Sequence, residues 1–160
     1  MELNELVAGF SAKTGLGELR SDDEGVYWLK IDDYVLGLGE DTEARALVIQ
    51  APVAERTEEN ASALAETLLE LNFLYLGTHG GSFALNREAG LYFYQRREAL
   101  DTLDVESFTM LIETVVNLVE EFSNRIPGFV QICAEAEAIA GQQEAQARPL
   151  EGLAPEFMQV

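Results

Sequence analysis

The sequence predicts a single α+β domain, a twisted antiparallel sheet packed by helices in the order α-β-β-β-α-β-β-α. Apolar residues recur at helical spacing in three segments, and five others are short β-branched and aromatic runs separated by polar turns. The strands are predicted as consecutive hairpins, which join antiparallel neighbours. At 160 residues, 48% of them hydrophobic, the chain is long enough to bury one core.

The first helix is predicted by four apolar residues at positions i, i+3, i+4 and i+7, with polar residues between them. These four residues are Leu3, Leu6, Val7 and Phe10. Gly15 and Gly17 should end the helix, because glycine adopts the left-handed backbone conformation at low steric cost. The acidic residues 21–25 that follow predict a loop.

Three strands are predicted next, as an antiparallel meander. Residues 26–31 and 34–38 are rich in β-branched and aromatic side chains and flank two aspartates, which predicts a hairpin. Residues 44–51 predict a third strand. Pro52 should stop that strand, because proline removes a donor from the hydrogen-bond ladder.

The second helix is predicted to run from an N-cap at Thr57 to about Asn72, on a stripe of leucine and alanine. A glycine-rich connection at residues 77–81 follows it. Residues 82–85 and 91–96 then predict a second hairpin, joined by a polar turn that contains a glycine.

The third helix has the most regular pattern in the chain. Asp104 is the predicted N-cap, and seven apolar residues then repeat over about five turns. They are Phe108, Leu111, Ile112, Val115, Val119, Phe122 and Ile126. We therefore expect the folded domain to span residues 1–126. Residues 127–140 could form one further short helix, and residues 141–160, rich in Gln, Glu, Ala and Pro, are expected to be a flexible tail.

The charge of the chain excludes several classes of partner. There are 29 acidic and 10 basic residues, for a net charge of −19. Such a surface repels phosphate backbones and anionic lipid, so we expect neither nucleic acid nor a membrane as partner. No run of about 18 apolar residues is present, the first residues do not resemble a secretory signal, and a single cysteine excludes an intrachain disulfide. We expect a cytoplasmic protein.

No catalytic residue, metal ligand or cofactor site is predicted. His79 is the only histidine, and no second histidine or nearby cysteine could complete a metal or nucleophile–base set around it. The loop at residues 77–81 lacks the lysine and glycine spacing of a phosphate-binding loop. Asp22 and its acidic neighbours lack the alternation of a calcium loop. A small carboxylate-based enzyme stays open as an alternative, since carboxylate pairs have no fixed spacing.

The apolar residues exceed what one small core needs. In the strand at residues 91–96 both faces are apolar, which is typical of strands buried on two sides or placed at a subunit contact. The excess favours a dimer contact or a surface for a partner protein.

Several local strings together resemble the class I type III secretion chaperones, the Tir chaperone family. The strings that carry the resemblance are residues 14–16, 27–33, 64–73, 83–91, 95–97 and 103–104. The resemblance covers about residues 1–126, and the rest of the chain extends beyond the usual end of that fold.

The resemblance implies a non-enzymatic homodimer that binds an extended segment near the N-terminus of a secreted effector. The effector would stay soluble and competent for the secretion ATPase. By analogy with the family, the dimer contact is assigned to Leu68, Leu71, Tyr92 and Tyr94. The client-binding surface is assigned to Leu6, Phe10, Trp28 and Tyr34. The same fold used as a regulatory or sensory domain outside secretion is a further alternative.

Overall fold

Three helices and five strands follow one another in the order that the sequence predicts. The structure is a computed structural model, and it describes residues 1–75 and 77–125. The helices are α1 (Leu3–Thr14), α2 (Ala61–Asn72) and α3 (Val105–Arg125). The strands are β1 (Tyr27–Ile31), β2 (Tyr34–Asp41), β3 (Ala46–Glu55), β4 (Ser82–Asn86) and β5 (Leu91–Ala99). The helix predicted in residues 127–140 and the tail predicted in residues 141–160 lie outside the described residues.

The strands form one antiparallel sheet in the order β1-β2-β3-β5-β4. The α+β fold class and the two hairpins are thereby confirmed. β1 and β4 are the two edge strands of the sheet, so the two hairpins lie at opposite edges of it. In the first hairpin the turn places Asp32 at a φ of 52°, a left-handed conformation that Asp tolerates better than most residues.

The prediction that Pro52 ends the third strand is wrong, because β3 continues through Pro52 to Glu55. β2 pairs with β3 only as far as Gln50, so at Pro52 the strand has a ladder only with β5. The register between β3 and β5 shifts between Pro52 and Ala54. A bulge of this kind accommodates a residue without an N–H, which is why proline is tolerated there.

The start of α2 also differs from the prediction. The helix begins at Ala61, four residues after the predicted cap at Thr57. The Thr57 N–H donates to Asn60 Oδ1 at 3.0 Å, and the Asn60 N–H donates to Thr57 Oγ1 at 3.3 Å. Thr57 therefore caps a turn that precedes the helix, and Asn60 takes the position of the cap.

The predicted C-terminus of α1 and the predicted N-terminus of α3 are confirmed. Gly15 follows α1 with a φ of 76°, and its N–H donates to the Ser11 carbonyl. Asp104 precedes α3, and its Oδ1 accepts the Ser107 N–H at 2.8 Å. The hydrogen bonds from Ser107 lower the pKa of Asp104 below its usual range.

The helices cover one face of the sheet only. Every buried apolar side chain of α1, α2 and α3 joins a single core cluster, together with one face of the strands. Strand residues of this core face include Leu29, Leu36, Ile49 and Tyr94. Among the described residues, α1 meets α3 edge to face through Phe10 and Phe108, whose ring centres are 5.8 Å apart.

The opposite face of the sheet also carries apolar side chains. Its residues follow from the register, because cross-strand partners point to the same side. We call it the open face, and its apolar residues include Trp28, Val35, Val48, Pro52 and Phe93. None of these five residues belongs to the core cluster. Within residues 1–75 and 77–125, no helix has the length and apolar character needed to cross a bilayer.

Candidate functional site

Trp28 lies half-buried on the open face and is held by the acidic loop before β1. Its Nε1–H donates to Asp22 Oδ2 at 2.8 Å. The other oxygen, Asp22 Oδ1, accepts the N–H groups of Glu24 at 3.0 Å and Val26 at 2.9 Å. One carboxylate therefore fixes both the indole and the loop. Sequence reasoning treated Asp22 as a solvated loop residue and missed this contact.

The indole lies against a glycine of the neighbouring strand. A Cβ at Gly37 would lie 3.0 Å from Trp28 Cζ3 and 3.0 Å from Gln50 Cγ, contacts so tight that these side chains would have to shift. Gly37 is the cross-strand partner of Trp28, and Gln50 is the partner of Gly37 on the next strand. The first three strands thus present a shallow surface in which an oriented tryptophan is the largest apolar group.

Tyr34 lies on the same hairpin as Trp28 but on the core face. Its hydroxyl is 2.9 Å from Ser123 Oγ, near the end of α3, and Ser123 Oγ also donates to the Glu120 carbonyl. The structure therefore places two of the predicted client residues, Trp28 and Tyr34, on one hairpin but on opposite faces of it.

Leu6 and Phe10, the other predicted client residues, are buried in the core between α1, α3 and the sheet. In this conformation they have almost no surface to offer to a partner, and they could reach one only if α1 moved. Their assignment to client binding stays a prediction.

The four predicted dimer residues do not form a common surface. Leu68, Tyr92 and Tyr94 are buried in the core of the subunit, and Leu71 is half-buried with its side chain against Gly77. A Cβ on Gly77 would lie 2.8 Å from Leu71 Cδ2, so the loop after α2 packs tightly on that leucine. No finding tests the dimer assignment of these residues, which stays a prediction.

A different set of apolar side chains is exposed at the end of α2. The exposed fractions are 67% for Leu69, 71% for Phe73, 67% for Leu74 and 59% for Tyr75, and we call these residues the α2 patch. Leu74 and Tyr75 also have left-handed backbones, with φ of 54° and 57°. This conformation costs L-residues about 1–2 kcal/mol each. Sequence reasoning missed the patch, although four consecutive apolar residues after Asn72 were a signal for it.

The end of α2 is held against the outer edge of the sheet. The Asn72 side chain accepts the Phe83 N–H at 2.7 Å and donates to the Phe83 carbonyl at 3.1 Å. Phe83 belongs to β4, an edge strand. The α2 patch therefore lies beside the β4 edge, whereas Trp28 lies on β1 at the opposite edge.

The glycine-rich loop at residues 77–81 is closed by its own hydrogen bonds. Thr78 Oγ1 donates to the Gly81 carbonyl at 2.6 Å, and the Tyr94 hydroxyl donates to the Thr78 carbonyl at 3.0 Å. A Cβ on Gly81 would overlap the Tyr94 ring and hydroxyl, so only glycine fits there. His79 is exposed. In the described part of the chain, no group of three or more His, Cys, Asp or Glu residues could hold a metal ion.

Burial raises the pKa of Tyr94 above its ordinary value of 10.0. Replacing Tyr94 by phenylalanine should lower the free energy of unfolding at neutral pH by about 1–3 kcal/mol, because the buried Thr78 carbonyl loses its donor. A folded-state pKa above the unfolded value means that the hydroxyl stabilises the fold fully below pH 10 and progressively less above it. The difference between the wild type and Tyr94→Phe should therefore shrink in urea titrations at alkaline pH. Tyr75→Phe, at an exposed position, is the control, and a pH-independent difference for Tyr94→Phe would contradict the assignment.

A scan against protein-family models matches the chain to the Tir chaperone protein (CesT) family over residues 5–123. The matched range begins inside α1 and ends inside α3, so it includes every strand and both surfaces described above. A search of curated protein sequences finds no match.

Solved structures with a similar fold include chaperone complexes. The ExsC–ExsE complex matches with a TM-score of 0.66 and 22% identity, covering 80% of this chain and 98% of that chain. The HopA1–SchA chaperone–effector complex matches with a TM-score of 0.60 and 18% identity over 74% and 91% of the two chains. The Yersinia pestis type III secretion chaperone SycH, bound to a fragment of YscM2, matches with a TM-score of 0.56 and 18% identity over 74% and 97%. At these identities the similarity shows the fold.

Proposed function

This chain belongs to the Tir chaperone protein (CesT) family, and from that membership we propose that it is a type III secretion chaperone that binds a secreted effector. The observation that carries the proposal is the family match over residues 5–123, which extends through all five strands. The similar structures include a chaperone–effector complex, which supports an effector as the partner.

The client is proposed to be an extended segment near the N-terminus of the effector. Its surface on the chaperone is centred on Trp28, which the Asp22 carboxylate orients in advance. A side chain that becomes fully buried contributes about 1.5–3 kcal/mol, less the cost of ordering the segment. Binding therefore needs several anchors, and an extended segment can supply them at alternate positions. Held in this way, the effector stays soluble and available to the secretion ATPase.

The charge of the chain suits this task. The net charge of −19 on this chain favours solubility and repels nucleic acid and anionic lipid. We propose that the protein acts in the cytoplasm, where the effector is made.

The working form is proposed to be a homodimer formed through the α2 patch. An isolated subunit would expose four large apolar side chains and would also hold Leu74 and Tyr75 in a strained backbone conformation. When a second copy covers the patch, the burial of these apolar side chains offsets the free energy of the strained backbone. Homodimer interfaces are rich in apolar and aromatic residues of this kind. Because the α2 patch and Trp28 lie at opposite edges of the sheet, the partner subunit and the client do not compete for one surface.

The proposal is tested by co-expressing the full chain with each candidate effector encoded beside it and sizing the purified complex. The expected result is a dimer that carries one client chain. A protein that runs as a lone monomer and retains none of the secreted polypeptides would contradict the proposal.

Two substitutions separate client binding from catalysis in the same assay. Trp28→Ala should weaken client binding by about 10- to 100-fold, the equivalent of one buried anchor. His79→Ala should leave it unchanged, because His79 is an exposed loop residue far along the chain from the first hairpin. Loss of client binding, or of any substrate turnover, in His79→Ala would instead favour the carboxylate-based enzyme.

A further inference from the structure

β4 is an edge strand whose own side chains do not protect it from pairing with another strand. The backbone groups on the outer side of an edge strand are a template for a further strand, and proteins often block such edges with lysine or proline. The other edge strand, β1, carries the exposed Lys30. The five residues of β4, Ser82 to Asn86, include neither a charged side chain nor a proline.

The Asn72 carboxamide occupies the outer side of the β4 edge. The Phe83 N–H donates to Asn72 Oδ1 at 2.7 Å, and the Phe83 carbonyl accepts from Asn72 Nδ2 at 3.1 Å, so both backbone groups point away from β5. Residues of an antiparallel pair alternate between those that exchange both bonds with the partner strand and those that exchange none. The backbone of Leu85 therefore also points outward, and a further strand would pair at Phe83 and Leu85.

The two bonds of Asn72 are those that a residue of a neighbouring strand would make. Such a residue would accept the Phe83 N–H and donate to the Phe83 carbonyl, and Asn72 does both with one amide group. Asn60, near the other end of α2, also accepts one N–H and donates to one carbonyl, but these belong to two residues, Thr57 and Glu55. Asn60 thus joins a turn to the helix, whereas Asn72 takes the place of a strand residue.

The position of Asn72 relates this edge to the association of subunits. Phe73 follows Asn72 directly, is 71% exposed and belongs to the α2 patch. Two copies that meet through such apolar side chains bring their uncharged β4 strands to the same contact region. Pairing of the two strands would first have to break both bonds from Asn72 to Phe83, and contact through side chains would not.

We propose that Asn72 determines how copies of this chain associate. Its carboxamide closes the β4 edge to the β4 strand of a second copy, and subunits then meet through the α2 patch and not through a shared sheet. Only the second part rests on the proposed function, which places the dimer contact on the α2 patch. Asn72 is in this sense a specificity-determining residue, in addition to anchoring α2 on the sheet.

The first test detects pairing of two β4 strands by a disulfide. If Phe83 and Leu85 of one copy pair with Leu85 and Phe83 of a second copy, the two Ala84 residues face each other with Cβ atoms about 4.5–5.5 Å apart, near the range that a disulfide needs. In the full-length chain with Cys133→Ser, Ala84→Cys should cross-link under mild oxidation at least about tenfold faster once Asn72→Ala is added, because the edge has lost two hydrogen bonds that compete with pairing.

Asn60→Ala is the matched control for this cross-linking. It also removes one accepted and one donated side-chain bond at an end of α2, but not at the β4 edge, so the rate should stay at that of the parent. Circular dichroism measures the fold of each variant. The proposal is overturned by equal rates in Asn72→Ala and its parent, and equally by the same rise in Asn60→Ala.

A second test separates closure of the edge from anchoring of the helix. By light scattering, Asn72→Ala alone should have a weight-average mass about twice that of the wild type at equal concentration, because edge pairing joins copies that are already associated. Adding Ala84→Lys places a charge on the edge strand without restoring the lost hydrogen bonds, and should return the mass to the wild-type value. A residue that only anchors α2 would not be rescued by this lysine.

A mass that stays raised in the double variant, or that never rises in Asn72→Ala, would count against closure of the edge. Neither test uses a client, and the cross-link through Ala84 reports on the β4 edge and not on the α2 patch. Failure of this inference is therefore distinguishable from failure of the proposed function.

Discussion

Replacing Phe73 and Tyr75 together by aspartate is expected to convert the dimer into a monomer without unfolding the subunit. Both side chains are mostly exposed in the subunit, and substitutions at such positions usually change the free energy of unfolding by less than about 0.5 kcal/mol. In the interface each would be a buried anchor contributing about 1.5–3 kcal/mol. Losing two anchors should therefore raise the dimer dissociation constant at least about a hundredfold.

The measurement is light scattering coupled to size exclusion over a range of protein concentrations, with circular dichroism to confirm the fold. Met110→Asp is the matched control, because Met110 is 62% exposed but belongs to α3 and not to the patch. A double variant that stays dimeric, or a control that dissociates equally, would exclude the α2 patch as the subunit contact. In that case the predicted contact through Leu68, Leu71, Tyr92 and Tyr94 would have to be tested next.

Phe10→Ala is expected to destabilise the fold by about 3–5 kcal/mol, the usual cost of removing a buried phenylalanine. Phe10 is buried, and its ring meets Phe108 edge to face at the contact between α1 and α3. Small domains are stable by only about 5–15 kcal/mol, so a large part of the total would be lost. Urea unfolding followed by circular dichroism measures the change, and the exposed Met110→Ala should change it by less than about 0.5 kcal/mol.

The outcome decides how Phe10 is to be interpreted. If Phe10→Ala unfolds at much lower urea, any loss of client binding in that variant reports loss of the fold and not loss of a client contact. If the variant keeps wild-type stability and yet loses the client, Phe10 is accessible in solution and the prediction that it binds the client is supported.

The secondary structure could be predicted closely where local chemistry decides it. The apolar period of α3 and its Asp104 cap, and the Gly15 terminus of α1, depend on neighbours within a few residues. One difference arose where a distant strand intervenes, because Pro52 is tolerated at a point where β2 no longer pairs with β3. The other difference is local, because Thr57 and Asn60 bond to each other and the helix begins after them.

The surfaces were harder to predict than the elements. On α2, Leu68 was assigned to the dimer, but the structure buries it and exposes its neighbour Leu69. A helical stripe is broad, so adjacent leucines cannot be assigned to core or surface from the period alone. Trp28 was predicted as a surface residue. Its hydrogen bond to Asp22, which joins a strand residue to a residue of the preceding loop, was seen only in the folded structure.

The amino-acid order was sufficient for the types and succession of the elements, the family and the acidic net charge, because these depend on short-range periodicity, turn chemistry and composition. Tertiary packing alone selected which apolar residues face the core, such as Leu6 and Tyr94, and which remain exposed, such as Phe73. The physical reason is that the burial of a side chain depends on the elements that cover it, and these come from distant parts of the chain.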